Sequence, residues 1–132
     1  MATLTRVNPW SWQDAYGFSQ AIEVRGASRT VYCAGQTSVD ADGSPVHAGD
    51  MAAQLRQCLD NLETVLAGAG MTLQNVVRLN YYTTDVPGYL QAAAAIAERL
   101  GQAGCNPPGT LLGVAGLFHP DILVELEATA VD

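Results

Sequence analysis

From residue 51 to 66 the apolar side chains Met51, Leu55, Cys58, Leu59, Leu62, Val65 and Leu66 recur at steps of three and four. That spacing gathers them into one stripe of an amphipathic helix. Asp50 is placed to cap its first turn, and Gly68 and Gly70 offer an exit. Arg56 and Asp60, four apart on the polar side, are expected to form a weak surface pair. Upstream, residues 21–24 and 30–34 read as strands around the polar turn Arg25-Gly26-Ala27-Ser28. A short strand at 37–39 runs into the turn Asp40-Ala41-Asp42-Gly43. Downstream, residues 76–83 are β-branched and aromatic and predict a further strand. Asp85 and Pro87 then open a second helix through Tyr89, Leu90, Ala93, Ile96, Ala97 and Leu100. Pro107-Pro108-Gly109 forbids regular helix, and two last strands are expected at 110–117 and 122–131, split by Phe118-His119-Pro120-Asp121.

This order predicts an α+β fold: a mixed sheet with two helices packed on one face through right-handed crossovers. Two helices cover one face only. The last strand places Ile122, Val124, Leu126, Ala128 and Ala130 on one side, and Leu123, Glu125, Glu127, Thr129 and Val131 on the other. An uncovered face that is apolar at both ends with carboxylates between is either wet or a subunit interface, so self-association is expected.

Length and charge narrow the function classes. With 132 residues, the chain is expected to be one domain spanning 1–132. Thirteen acidic residues stand against six basic ones, all arginine, for a net charge of −7. That balance argues against a polybasic nucleic-acid surface or a membrane-binding helix. No apolar run approaches the roughly 20 residues of a membrane span. Residues 1–6 lack the apolar segment of a signal peptide, and a cytoplasmic protein is expected. Cys33, Cys58 and Cys105 fit neither a disulfide framework nor a zinc motif.

Several residues are candidates for chemistry, each with a bland reading beside the functional one. Gly35, where a strand ends, suits either a tight turn or close backbone approach to a ligand. Glu125 and Glu127 share a strand face and form either a solvated patch or a site that positions water and accepts a proton. His119 lies in a proline-bounded loop, as a ligand contact or an ordinary loop residue, and pairing it with His47 makes a poor metal site. Cys33 and Cys58 read as buried hydrophobes, whereas Cys105 is expected nearer the surface. Trp10, Trp12, Tyr16 and Phe18 form either an arm packed on the core or the wall of a cleft for flat, apolar molecules. No phosphate-binding glycine loop or nucleophile elbow occurs, so no cofactor and no metal is implied.

Specific stretches resemble a known family. They are Ala34-Gly35-Gln36, Met51-Ala52-Ala53-Gln54 with residues 56–62, Gly70 with the strand and turn at 76–85, and residues 124–130. Together they resemble the YjgF/YER057c/UK114, or Rid, family, whose founding members are enamine/imine deaminases. The resemblance implies a chorismate-mutase-like sheet with two helices on one face. It further implies a homotrimer whose sheets form an inner barrel, with clefts between neighbouring subunits.

In the archetypes an arginine clamps the substrate carboxylate, and a glutamate on the last strand holds the attacking water. Glu125 matches the glutamate, and Gly35 matches strand-end backbone beside the ligand. Gly109 stands where the arginine belongs, with Thr110 and Leu111 after it, and Phe18 replaces a frequent tyrosine. A glycine offers none of the five donors of a guanidinium, so short 2-imino acids are expected to be poor substrates. The resemblance then implies a small-molecule site lined by Phe18, Gly35, Gly109, Thr110, Leu111 and His119, with Glu125 as base and an apolar or aromatic ligand. Two readings stand: hydrolysis or tautomerisation of an enamine or imine, and an accessory protein that binds in the same cleft without turnover. Rescue of the missing cation by Arg78 is a further option. RNA cleavage, a third activity ascribed to the family, is disfavoured by the acidic charge.

Overall fold

A computed structural model describes residues 2–132. The chain runs β1 (Thr3–Val7), a 3-10 turn at Trp12–Tyr16, β2 (Ala21–Arg25), β3 (Thr30–Tyr32), β4 (Gln36–Thr37) and α1 (Met51–Gly68). After a second 3-10 turn at Leu73–Asn75 come β5 (Val76–Thr83), α2 (Val86–Ala92), α3 (Ala94–Gln102), β6 (Leu111–Gly113) and β7 (Val124–Val131). The main sheet has the order β3-β7-β5-β6, with β4 also paired to β7. β7 is antiparallel to β3, β4 and β5, and β6 is parallel to β5.

The mixed α+β sheet is as expected, but two features are corrected. The sheet is open among the described residues: β6 and β3 are its ends and do not pair, and β1 and β2 form a separate antiparallel ribbon. No barrel closes. β6 has three residues where a strand over 110–117 was expected, because the chain leaves the ladder after Val114 donates to the Thr83 carbonyl. The second expected helix is two, making three α-helices among the described residues. The break falls at Ala93, where the Ile96 amide bonds the Ala93 carbonyl in an i→i+3 step. β1, absent from the sequence reading, is a short exposed segment held by pairing with β2.

The core lies between α1 and one face of β7. Leu55, Leu59, Leu62 and Leu66 are completely buried against Val124, Leu126, Ala128 and Ala130. Each such leucine contributes about 1.5–3 kcal/mol. Asp50 caps α1 by accepting from the Ala53 amide at 3.0 Å, and Asp85 caps α2 by accepting from Gly88 at 3.0 Å. Asp60 does not pair with Arg56. It meets Arg99 of α3 at 2.6 Å, and Arg99 also bonds Glu63 at 2.7 Å, so the charges tie two helices together.

Two polar side chains on α1, Gln54 buried and Asn61 half-buried, hold the loops around the sheet. The Gln54 side-chain amide donates to the carbonyls of His47 (3.1 Å) and Asp121 (2.7 Å) and accepts from the Leu123 amide (2.8 Å). Asn61 donates to the carbonyls of Thr37 and Val39. Left unpaired, such buried groups cost about 1–3 kcal/mol each, so these two residues fix the approach of β4 and β7 to the helix.

Candidate functional site

The predicted site residues fall into two groups on opposite sides of the sheet. Pairing in the ladder decides the sides. Tyr81 of β5 is opposite Leu126 in the core, whereas Tyr82 is opposite Glu125 and Asn80 is opposite Glu127. Alternation along a strand therefore sends Glu125, Glu127, Asn80 and Tyr82 to the face without helices.

On that face Glu125 lies between Thr37 of β4 and Tyr82 of β5. Gly35 closes over it: a Cβ at this position would overlap the Glu125 carboxylate. Gly35 is thus a glycine because of close approach. Glu127, one strand-step on, is engaged through one oxygen, Oε1. It accepts from the Tyr82 hydroxyl at 2.8 Å and from the Asn80 amide at 3.2 Å. Those donors hold its carboxyl below the usual carboxylate range, and the same bond holds the Tyr82 hydroxyl above the ordinary tyrosine value. No comparable donor reaches Glu125 among the described residues. Of two carboxylates on one face, one is a fixed acceptor and the other is half-buried and free.

The second group lines an apolar groove of about 590 Å³ on the helix side. Phe18, Gly109, Thr110 and Leu111 meet there with Tyr81 and Tyr89. Residues 108–111 run along β5: Leu79 donates to the Pro108 carbonyl, Tyr81 to the Thr110 carbonyl, and Thr110 to the Asn80 side chain. Gly109 is so close to β5 that a Cβ would collide with the Leu79 carbonyl. Trp12 stands edge-on to Phe18, with ring centres 5.8 Å apart, and to Tyr16 at 6.4 Å. Of the N-terminal aromatics, Tyr16 and Phe18 line the groove, whereas Trp10 and Trp12 do not line it and remain largely exposed.

His119 joins neither group. Its Nδ1 accepts from the Asp121 amide at 3.1 Å and stays in its own loop. Arg78 shares the open face with Glu125 but is opposite Thr129, four ladder pairs away and about 13 Å along the strand. It borders a smaller hollow of about 310 Å³ with Ile22, Val24 and Pro108. Cys105 is buried, not near the surface, and burial pushes its thiol up to about 12. Burial and the nearby Glu125 charge push Cys58 up to about 12 as well. Neither thiol is a ready nucleophile. Among the described residues no group of three His, Cys, Asp or Glu side chains is arranged to hold a metal.

Sequence reasoning missed Asp14, at the mouth of the groove, and the Tyr82–Asn80 pair that occupies Glu127. Cross-strand partners depend on register, which no spacing along one chain reveals.

Comparison with known proteins agrees with this architecture. The family model described as Endoribonuclease L-PSP matches residues 11–132. A RutC family protein of Pyrococcus horikoshii is 31% identical over 86% of this chain and 85% of its own length. The 3-aminoacrylate deaminase RutC of Acinetobacter baylyi is 30% identical over 79% of this chain and 80% of its own. The crystal structure of YyfB from Yersinia pestis, a member of the conserved Rid family, superposes with a TM-score of 0.84 at 37% identity, covering 97% of this chain and 98% of that one. With one fold, one set of motifs and near-complete coverage in agreement, the chain belongs to the YjgF/YER057c/UK114 (Rid) family.

Proposed function

We propose that this protein hydrolyses an enamine or imine of a small molecule, with Glu125 positioning water and taking its proton, in a cytoplasmic homotrimer whose sites lie between subunits. The observation that carries this reading is the contrast between the two carboxylates. Glu127 is tied through one oxygen, Oε1, to Tyr82 and Asn80, while Glu125 is held against Gly35 with no side-chain or backbone donor on either oxygen among the described residues. A half-buried carboxylate without internal donors suits general-base work.

The arrangement of the two groups supports assembly. Glu125 and the groove of Phe18, Gly109, Thr110 and Leu111 are separated by the sheet in one chain, so a site containing both takes its halves from two copies. The open face also leaves Tyr32 and Leu112 exposed, as a surface that meets another copy would. Three free, buried thiols suit a reducing compartment. The A. baylyi relative is named as a deaminase of 3-aminoacrylate, an enamine, and supports the reaction class. The family model's description as an endoribonuclease finds no electrostatic support in a chain of net charge −7 without lysine.

Gly109 favours a second reading, a binding protein without turnover, since no side chain at that position holds a substrate carboxylate. Ammonia release from a panel of imines separates the two. Glu125→Ala is expected to abolish acceleration while the trimer persists; unchanged turnover on every imine would sink the hydrolytic reading. With 2-aminoacrylate generated from serine, little acceleration of pyruvate release is expected, and rapid release would contradict the part assigned to Gly109.

A further inference from the structure

The groove has a charge character opposite to that of a carboxylate site. Its walls are aromatic and aliphatic, from Phe18, Tyr81, Tyr89, Ala93 and Leu111, and its single charged lining residue is Asp14. Asp14 is exposed at the mouth, and its side chain accepts one long bond, 3.4 Å, from its neighbour Gln13. It forms no ion pair among the described residues. Tyr16 lines the same groove, and aromatic faces attract organic cations. Arg6 is engaged by Ser19 at 2.8 Å and does not line the groove.

We propose that the groove takes a hydrophobic organic cation without a carboxylate, and that the substrate is the iminium of an apolar or aromatic amine. The ligand class rests on the groove and Asp14 within one chain; the chemistry rests on the reading of Glu125 given above. A 2-imino acid would bring its carboxylate toward Asp14 with no cation to offset the repulsion, whereas an iminium is attracted.

The reaction balances without any other reagent. Water's oxygen bonds to the imine carbon as the C=N pair moves to nitrogen, and Glu125 of a second copy takes the proton released. That proton passes to nitrogen, and the C–N bond breaks as the hydroxyl oxygen forms the carbonyl. The hydroxyl proton leaves with the ammonia, giving a carbonyl compound and ammonium. The reaction that supplies such a substrate is the two-electron oxidation of a primary amine.

Three probes with one hydrocarbon body test the ligand class: phenylethylamine, 2-phenylethanol and 3-phenylpropionate, titrated by calorimetry. The amine is expected to bind at least about tenfold more tightly than the acid. Asp14→Asn is expected to weaken the amine by about three- to fivefold and leave the alcohol unchanged. Equal or tighter binding of the acid, or an amine affinity indifferent to Asp14→Asn, would overturn the proposal. In a second arm, ammonia release is followed from the imine made by a flavin amine oxidase on phenylethylamine and from the 2-imino acid made from phenylalanine. Faster hydrolysis of the former is expected. Amine-selective binding with neither imine hydrolysed would support the ligand class and overturn the reading of Glu125.

Discussion

Tyr81 and Tyr82 are adjacent in sequence and belong to different environments. Tyr81 faces the helices, with its ring 5.5 Å from that of Tyr89 and its hydroxyl pushed far up by burial. Tyr82 faces the open side and donates to Glu127. The helix side is where stability is made: completely buried leucines on α1, a close-packed last strand and an apolar groove at its margin. The open side is where polar groups are held in a defined order on a surface that contributes little to the core. One strand thus separates the part of the molecule that resists substitution from the part that can change its chemistry.

The largest expected effects test whether the open side is chemical and not structural. Gly35→Val puts a side chain where the Glu125 carboxylate sits, and it is expected to lower imine turnover as far as Glu125→Ala does, by about a hundredfold or more. If Gly35→Val retained full turnover, the close contact would have no part in the chemistry. On the helix side, Leu59→Ala is expected to cost about 2–5 kcal/mol in chemical denaturation, since it opens a cavity beneath β7. A change below 1 kcal/mol on the order-of-magnitude scale of core truncations would show that α1 is not the main support.

Gly109→Arg is expected to destabilise by about 1–3 kcal/mol without restoring activity on short 2-imino acids, because the new Cβ meets the Leu79 backbone before the guanidinium reaches anything. Recovery of that activity would show that β5 and residues 108–110 move apart readily.

Tyr82→Phe is the smallest of the set. The depressed Glu127 carboxyl stabilises the fold above its ordinary value of 4.5, and this contribution is lost as pH falls through the folded-state value. Removing the Tyr82 hydroxyl should flatten the fall in stability below that pH and change little at neutrality. An unchanged acid limb in denaturation would assign the shift elsewhere.

The helix side was the more legible half. The 3.6-residue period of α1, its cap at Asp50 and the alternation of the last strand are local signals, and the folded chain bears them out. The break at Ala93 was hidden because alanines favour helix on both sides of it. The end of β6 was hidden because 110–117 is apolar enough for a strand, while its partner β5 ends at Thr83, opposite Gly113. Asp60 found Arg99 and not Arg56, since a partner on another helix outcompeted the one four residues away. On the open side, Glu125 and Gly35 were visible as residue types. Their contact, and the occupation of Glu127 by Tyr82 and Asn80, follow from register alone.

Gln54 carries a consequence of its own. Its three hydrogen bonds reach the loop before α1 and the two residues that lead toward β7, so a single amide joins segments more than about seventy positions apart. Neither loop can be redesigned independently. Any variant that reshapes the approach to Glu125 must keep a carbonyl and an amide within reach of this side chain, and the freedom of the surface to acquire new substrates is bounded from within the core.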